Sequence, residues 1–329
     1  MPFVSSRQIA KLIDVVSNLP PDRIADVEAA ISDARRRAEA STEVEGAAHK
    51  RPCPHCGGVE SIRWGKCRTG IHRWRCKSCQ KTWTGRTGTA IARIHRPGLL
   101  LDVVRNMMGN APLSCRKLAD DLNLSWHTVW RWRIMILNEV KVAPSGLLQG
   151  IVETDDTGHR ESRKGSREWV RHFREPVLYP APPRRRWKDW GRKGPPGIVS
   201  MAWREHVLAT TDRSGALMVE HMPDKTLPSI DAALVPLVAV DAMLLFDGAP
   251  QYEKIARTRN LGYKVLIAGR RSPTAPASYH LNTVNGVHSS WKDFLRPFCG
   301  PATKNLNAYA RWFLARRAGY IPAFRALLS

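Results

Sequence analysis

The sequence predicts an α/β domain with a mixed sheet, preceded by a small cysteine-rich module and a helical region. Beyond Ser145, apolar segments typical of strands alternate with helical spacing, and several strands precede the first helix. Before that point, two CxxC pairs stand in residues 51–96, which carry 11 basic residues and one acidic residue. With 43% apolar residues, the chain of 329 residues can bury a core, which excludes wholesale disorder.

Charge is the strongest feature of the composition. The chain has 52 Lys and Arg against 29 Asp and Glu, a formal net charge of +23. An excess of this size predicts a polyanionic partner, most often nucleic acid. No segment reaches the roughly 18 apolar residues that span a bilayer. Because no secretory signal is evident and the seven cysteines are an odd number, we expect a cytoplasmic protein without a membrane partner.

Residues 1–50 predict a helical segment followed by a linker. Apolar residues at helical spacing predict two short helices in residues 1–40, interrupted at Pro20, and residues 41–50 predict the linker. Residues 1–50 carry 7 basic and 8 acidic residues, so they share none of the positive excess. A docking or dimerisation hairpin and a plain packing role both remain open for this segment.

Residues 51–96 predict a zinc ribbon. Each CxxC pair places two thiolates on one tight turn, and two such turns form the tetrahedral sulfur cage that Zn²⁺ favours. The predicted zinc ligands are Cys53, Cys56, Cys76 and Cys79. Basic residues and tryptophans interleave along the ribbon, which favours contact with a DNA backbone through Arg73 and Arg75. A solvated basic face is the alternative.

Residues 97–145 predict a helix-turn-helix. Ser114 can cap a first helix, Asn123 suits the turn, and Ser125 can cap a second helix. The residues predicted to face inward are Leu118, Ala119, Leu122, Val129, Trp132, Ile136 and Leu137. The residues left near the exposed start of the second helix, where a recognition helix meets base edges, are Trp126, His127, Thr128, Arg131 and Arg133. An ordinary helical hairpin is the alternative.

Residues 146–329 predict the α/β domain. Its predicted strands are 150–154, 198–203, 206–211, 216–222, 243–247 and 264–268, and its predicted helices lie near 229–239, 250–259, 282–296 and 303–318. An insert over 160–197 carries 12 basic and 4 acidic residues, among them Arg184, Arg185 and Arg186. We interpret the insert as a loop that grips the DNA backbone, with a solvated loop as the alternative.

Asp155 and Asp247 are candidate metal ligands, each predicted at the end of an apolar strand. Side chains converge on a site at strand ends, and phosphodiester chemistry uses carboxylates that hold divalent ions. For each aspartate alone, a capping or turn role is the alternative. Three polar residues share one face of the helix predicted over 282–296, namely Asn285, His288 and Lys292.

These residues and motifs resemble insertion-sequence transposases of the DDE superfamily, in the ISXO-like group that carries an N-terminal zinc ribbon. Beside the helix-turn-helix, the matching segments are CPHCGG, RWRCKSCQKTW, GIVETDDTGHRESRKGSR, AMLLFDGAPQYEKIA and YHLNTVNGVHSSWKDFLRPFCGPATKNLNAYARWF, within residues 51–317. The resemblance implies a ribonuclease-H-like core that uses Mg²⁺ or Mn²⁺ to cleave double-stranded DNA at element ends and to transfer strands. It also implies a homodimer on DNA.

Carried over by position, the resemblance places the first two acidic ligands on Asp155 and Asp247. The third position falls on Asn285, where many relatives carry Glu, and a family lysine falls on Lys292. An amide oxygen is an acceptable ligand for Mg²⁺ but lacks the charge of a carboxylate. Lys292 would then be a cation beside the substrate phosphate.

Two further departures from the family pattern are Asp156, in place of a common Glu, and Gly158-His159, in place of an aromatic pair. Glu153 and Asp293 are weak candidates to replace the missing carboxylate. Three hypotheses therefore stay open: an active transposase, a non-catalytic DNA-binding regulator derived from one, and, more weakly, an RNA-processing nuclease on the same core.

Overall fold

The structure, a computed structural model, describes residues 5–49, 51–140, 146–181, 204–222, 224–267, 278–319 and 327–328. Its helices are α1 Ser6–Ser17, α2 Pro21–His49, α3 Pro97–Met108, α4 Cys115–Asp121, α5 Trp126–Glu139, α6 Glu168–Arg174, α7 Leu227–Leu234, α8 Pro250–Thr258, α9 Asn282–Leu295 and α10 Leu306–Arg317. Its strands are β1 Ser61–Lys66, β2 His72–Cys76, β3 Thr82–Trp83, β4 Ile151–His159, β5 Glu205–Asp212, β6 Leu217–Met222, β7 Met243–Phe246 and β8 Gly262–Val265.

The chain divides into two compact units. The first contains residues 1–139 together with 322–329, and the second contains residues 140–321. The first unit therefore includes the cysteine pairs and both helices of the predicted helix-turn-helix. The second includes every strand of the larger sheet.

The first unit begins with two helices. Ser5 starts α1 with a capping box, in which its side chain and that of Gln8 each bond the other's backbone. The prediction of a linker over 41–50 is wrong, because α2 continues through His49. Three small residues at intervals of four explain the continuation, since they form one buried stripe along α2: Ala40, Val44 and Ala48.

The cysteine-rich module is a three-stranded antiparallel sheet in the order β1-β2-β3. Its core joins α2, because Ala48 belongs to the same buried cluster as Cys53, Cys76 and Trp83. A side chain at Gly85 would collide with the backbone of α2, since a Cβ there would lie 2.0 Å from the carbonyl oxygen of Val44. The ribbon is therefore built against the helix and does not stand on its own core.

Helices α4 and α5 form the predicted pair. The side chain of Ser114 accepts a hydrogen bond from the backbone of Lys117, and Asn123 adopts a left-handed conformation in the turn. All but one of the predicted inward residues are buried, and Leu122 is half-buried. The prediction for Arg133 is wrong, because its side chain is fully buried and donates to the backbone oxygen of Leu113 at 2.9 Å.

The second unit is built on a five-stranded mixed sheet. The strand order is β6-β5-β4-β7-β8, so β4 lies at the centre. Strands β7 and β8 run parallel to β4, whereas β5 runs antiparallel to both β4 and β6. The mixed α/β fold predicted from the sequence is confirmed.

The two faces of the sheet carry different helices. On one face, residues of α7 and α8 join the main apolar core, for example Ile230, Leu234 and Ile255. On the other face α9 contacts β4 and β5, with Val284 and Trp291 buried. Because successive residues of a strand point to opposite faces, each residue of β4 is directed to one of these two groups of helices.

Strand β4 is longer than predicted, since it continues to His159. Helix α6 lies within the insert that was interpreted as a loop over 160–197. The predicted strand 198–203 lies outside the described residues. Among the residues that the structure describes, every helix is too short or too polar to cross a membrane.

Candidate functional site

The four ribbon cysteines form a metal cage. Their sulfur atoms all lie within 4.8 Å of one another. Cys53 Sγ is 3.7 Å from Cys79 Sγ, and Cys56 Sγ is 3.6 Å from Cys76 Sγ. A regular tetrahedron with Zn–S bonds of about 2.3 Å has edges of about 3.8 Å. The donor set and its spacing fit a structural zinc ion, as the CxxC pairs predicted.

The backbone of two matching turns presents these thiols. The N–H of Gly57 donates to the oxygen of Cys53, and the N–H of Gln80 donates to the oxygen of Cys76. Gly57 and Gln80 have the same left-handed conformation. Hydrogen bonds from the backbone of Cys79 and Ser78 lower the pKa of the Cys76 thiol to about 6. The second turn thus favours the thiolate of Cys76 that a metal requires. At Cys56 the backbone hydrogen bond of Gly58 acts to lower the pKa, but the neighbouring thiols of Cys79 and Cys76 raise it to about 12.

The outer surface of the ribbon is basic and aromatic. The guanidinium of Arg75 lies 4.4 Å from the centre of the exposed Trp64 ring, and that of Arg63 lies 5.7 Å from the Trp74 ring. Arg73 is exposed on β2, on the same side of the strand as Arg75. Guanidinium groups that lie over aromatic rings keep their charge available to phosphate.

The start of α5 offers a second exposed polar surface. Trp126 is 44% exposed, His127 and Arg131 are exposed, and Thr128 is half-buried. The rings of Trp126 and His127 stack on each other. Four of the five residues predicted for base contacts thus reach the surface, whereas Arg133 is in the core. The basic triplet of the insert, Arg184, Arg185 and Arg186, lies outside the described residues.

In the second unit, strand register brings the two candidate aspartates together. Strand β4 pairs in parallel with β7, with Glu153 opposite Leu245. Two residues further along this register, Asp155 lies beside Asp247. Asp155 was predicted to end its strand, but it lies within β4 at the point where the pairing with β7 has stopped. The side chain of Asp155 is only partly buried at this point.

The electrostatics support this proximity. Burial and then the charge of Asp247 raise the pKa of Asp155 to about 6. The side chain of Asp155 is 23% exposed and that of Asp247 is exposed. A neighbouring carboxylate disfavours the ionised form of Asp155, and a divalent cation bound between the two would stabilise that ionised form.

Helix α9 brings the remaining candidates to the same face. His288 lies 3.6 Å from Asp155, measured from Nδ1 to Oδ2. Asn285 is one turn before His288 and Lys292 is one turn after it, and both are exposed. Burial and the charge of Lys292 lower the pKa of both His288 and His159, in the latter to about 4.

A buried ion pair ties the start of α9 to β4. Glu153 is 1% exposed, and its Oε2 accepts the backbone N–H of Val284 at 2.9 Å. Its Oε1 forms an ion pair with Arg213, which also donates to Thr283 Oγ1 at 2.7 Å. His280 Nδ1 lies 3.4 Å from the same oxygen. Both carboxylate oxygens of Glu153 therefore already have partners that position α9, which argues against Glu153 as a substitute metal ligand.

A second buried carboxylate ties β4 to the elements on its other face. Asp156 contacts His206 Nδ1 at 2.8 Å, Lys225 Nζ at 2.5 Å and the hydroxyl of Tyr252 at 3.4 Å. Burial acts to raise the pKa of Asp156, but the hydrogen bonds from His206 and Lys225 hold it below its usual value. Tyr252 belongs to α8, which begins three residues after Asp247.

The sequence predicted that His288 shares a helix face with Asn285, but it assigned His288 no role. The i, i+3 spacing from Asn285 was the signal that His288 would lie near Asp155. Asp293, the other candidate substitute, is exposed and paired with Arg296. His159 accepts a hydrogen bond from Trp291 at 2.8 Å, so this departure from the family pattern contributes to the packing of α9.

Comparison with known proteins gives one partial similarity in sequence. No family model matches the chain. An uncharacterized protein in the transposable element ISH50 of Halobacterium salinarum is 30% identical over 115 residues, which are 34% of this chain and 38% of that protein. A crystal structure of a pre-cleavage Mos1 transpososome is similar with 16% identity and a TM-score of 0.19, over 67% of this chain and 75% of that chain.

Proposed function

We propose that this protein is a DNA transposase with a ribonuclease-H-like catalytic unit. The observation that carries the proposal is the parallel register of β4 and β7, which sets Asp155 beside Asp247 under helix α9. In the family that the sequence resembles, the acidic ligands come from the first strand, the fourth strand and a late helix. Here β4 and β7 are the first and fourth strands of the sheet, and α9 follows all five strands.

Asp155, Asp247 and Asn285 would hold Mg²⁺ or Mn²⁺. Such ions activate water and stabilise the leaving oxygen during displacement at a phosphodiester. The side chain of Asp155 is partly exposed and that of Asp247 is exposed, which would leave the site accessible to a phosphate. Lys292 is exposed on the same helix, where its charge would orient the substrate phosphate.

The first unit would bind the element ends. The ribbon carries Arg73 and the stacked Arg75 for phosphate contacts, and the start of α5 carries Trp126, His127 and Arg131 for base edges. Arg184, Arg185 and Arg186 would contact the DNA backbone. Strand transfer joins two ends, so we propose a homodimer on DNA.

The test is cleavage of a plasmid that carries the gene with its native flanking DNA. We expect nicks at the flanks, with 3′-hydroxyl ends, in Mg²⁺ or Mn²⁺ and not without a divalent ion. Asp155→Asn and Asp247→Asn should abolish them. Asp293→Asn is the matched control, because Asp293 is an exposed carboxylate of α9 and should be dispensable.

Each alternative predicts a different result. Specific binding of the flanks without cleavage in either ion would favour the non-catalytic regulator, for which Asn285 in place of Glu is the supporting observation. Loss of nicking in Asp293→Asn would assign the third carboxylate to that residue. Cleavage that survives Asp155→Asn would overturn the site.

A further inference from the structure

His159 ends strand β4 on the face that meets helix α9. Its ring is half-buried, and its Nε2 accepts the indole N–H of Trp291 at 2.8 Å. An indole nitrogen only donates, so Nε2 carries no proton in this bond. Burial and the charge of Lys292 lower the pKa of His159 to about 4, so the ring is neutral at pH 7. A neutral ring without a proton on Nε2 carries its proton on Nδ1.

The Nδ1–H of His159 is therefore a hydrogen-bond donor with a fixed position. Among the residues that the structure describes, none is bonded to Nδ1, and this nitrogen is not one of the buried atoms that lack a partner. The bond with Trp291 uses one edge of the ring for packing. The other edge is left for an acceptor from outside the protein.

The surroundings of His159 favour an anionic acceptor. Lys292 is exposed and forms no ion pair with any described residue, whereas His221 is paired with Glu205 at 2.9 Å. A phosphate suits this position, because positive charge attracts it and its oxygens accept hydrogen bonds. The groups with the largest electrostatic effect on His159 are all basic, namely Lys292, His221, His288 and Arg204.

Strand β4 sets the distance between this donor and the proposed reaction centre. Successive residues alternate between faces, so His159 shares a face of β4 with Asp155, four residues earlier. A strand rises about 3.3 Å per residue, so the two lie about 13 Å apart along β4. Phosphates of one DNA strand recur at about 3.4 Å along the helix axis. A strand that reacts at Asp155 therefore has a phosphate near His159 within about four nucleotides.

We propose that the Nδ1–H of His159 binds a DNA phosphate within about four nucleotides of the phosphate that reacts. The inference rests on the proposed function, because it uses the same DNA strand. It gives His159, which departs from the family pattern, a contact with the substrate in addition to its packing against Trp291.

Two amide replacements separate the two edges of the ring. The amide of Asn reaches the position of Nδ1 and can donate there, whereas the amide of Gln reaches the position of Nε2 and can accept from Trp291. His159→Asn should therefore keep the phosphate contact and lose the indole bond. His159→Gln should keep the indole bond and lose the phosphate contact.

The test is nicking and binding of a duplex from the native flanks by the full-length protein, loaded with zinc and supplied with Mg²⁺ or Mn²⁺. Phosphates near the nick are replaced one at a time by uncharged methylphosphonate. In the wild type, we expect one position within about four nucleotides where the replacement slows nicking or weakens binding about tenfold. His159→Gln should show a similar loss on unmodified DNA and little further loss at that position. His159→Asn should keep the sensitivity of the wild type.

Hydrogen exchange of α9 reports the packing role separately, since its protection should fall in His159→Asn and persist in His159→Gln. Nicking that follows this protection, impaired in His159→Asn and normal in His159→Gln, would assign the ring to packing alone and overturn the phosphate contact. A scan in which no position is coupled to His159→Gln would also overturn it and leave the catalytic site standing. Absence of nicking by the wild type, or nicking that survives Asp155→Asn, would overturn the proposed function and this contact with it.

Discussion

The ribbon cysteines and the aspartates of the larger sheet are both candidate ligands for a cation, but the fold brings the two groups together to different degrees. In the ribbon, backbone turns place all four sulfurs within 4.8 Å. In the sheet, Asp155 and Asp247 extend from neighbouring strands, and their mutual repulsion contributes to the raised pKa of Asp155. The four sulfurs are therefore already close enough for one ion, whereas a cation bound at the proposed carboxylate site would offset the repulsion between the two aspartates.

The largest expected effect is loss of the cage. Cys76 is fully buried within the ribbon core, so Cys76→Ser should abolish zinc binding and unfold residues 51–96. Zinc contributes on the order of 10 kcal/mol or more to the folding of small domains of this kind. The measurements are bound zinc per chain and the hydrogen-exchange protection of the ribbon.

Cys67→Ser is the matched control for the cage. Cys67 is a half-buried ribbon cysteine whose thiol contacts Thr69 and lies outside the cluster. Its replacement should leave zinc content and protection unchanged. A ribbon that keeps its protection without zinc would show that the packing around Trp83 and α2 suffices to fold it.

Asp155 is expected to show the opposite behaviour, in that removing its charge stabilises the metal-free protein. Its pKa is about 6 in the folded protein against an ordinary 3.8. Its contribution to stability is therefore full below pH 3.8 and is lost as the pH rises through 6. At pH 7, Asp155→Asn should stabilise the second unit by about 3 kcal/mol, the equivalent of about two pKa units.

Hydrogen exchange of β4 and β5 measures this effect in buffer free of Mg²⁺ and Mn²⁺, with the zinc cage loaded. The difference between Asp155→Asn and the wild type should grow from pH 4 to pH 7. Mn²⁺ should then stabilise the wild type and leave the variant unchanged. A variant that is less stable than the wild type at pH 7 would contradict the strained carboxylate pair.

The sequence predicted the cage better than the carboxylate site for a physical reason. A CxxC pair is a local motif, so its turn follows from four consecutive residues, and Cys53 and Cys76 lie as predicted. The meeting of Asp155 with Asp247 depends on the register of two strands that are about 90 residues apart in the chain. Alternation and strand length placed each aspartate near a strand end, but they did not give the pairing.

Burial explains where the structure departs from the predictions made from the sequence. Residues 41–50 carry few large apolar side chains and were predicted as a linker, yet Val44 and Ala48 are buried and Ala48 belongs to the ribbon cluster. Arg133 was assigned to the surface by its charge, but the fold buries it with a backbone oxygen as partner. Glu153 was weighed as a ligand because it shares a face with Asp155, and only the three-dimensional structure shows its ion pair with Arg213.

The smallest expected effect concerns Glu153. In the ribbon, backbone turns position the cysteines, whereas in the second unit the side chain of Glu153 positions the start of α9. Glu153→Gln keeps an oxygen for the N–H of Val284 but loses the charge that faces Arg213. We expect the local stability of α9 to fall by about 1–2 kcal/mol, because the amide N–H₂ that replaces one carboxylate oxygen is buried and faces Arg213 without an acceptor. Hydrogen exchange should show it in α9, at residues 282–295.

Asp231→Asn is the control for a general effect on the second unit. Asp231 lies on α7, on the other face of the sheet from α9, and pairs with Arg259. Its replacement should leave the protection of α9 unchanged. Equal protection of α9 in Glu153→Gln would mean that the apolar contacts of Val284 and Trp291 alone position the helix. A loss of protection confined to α9 would instead show that the buried carboxylate of Glu153 holds this helix in place over Asp155, two residues further along β4.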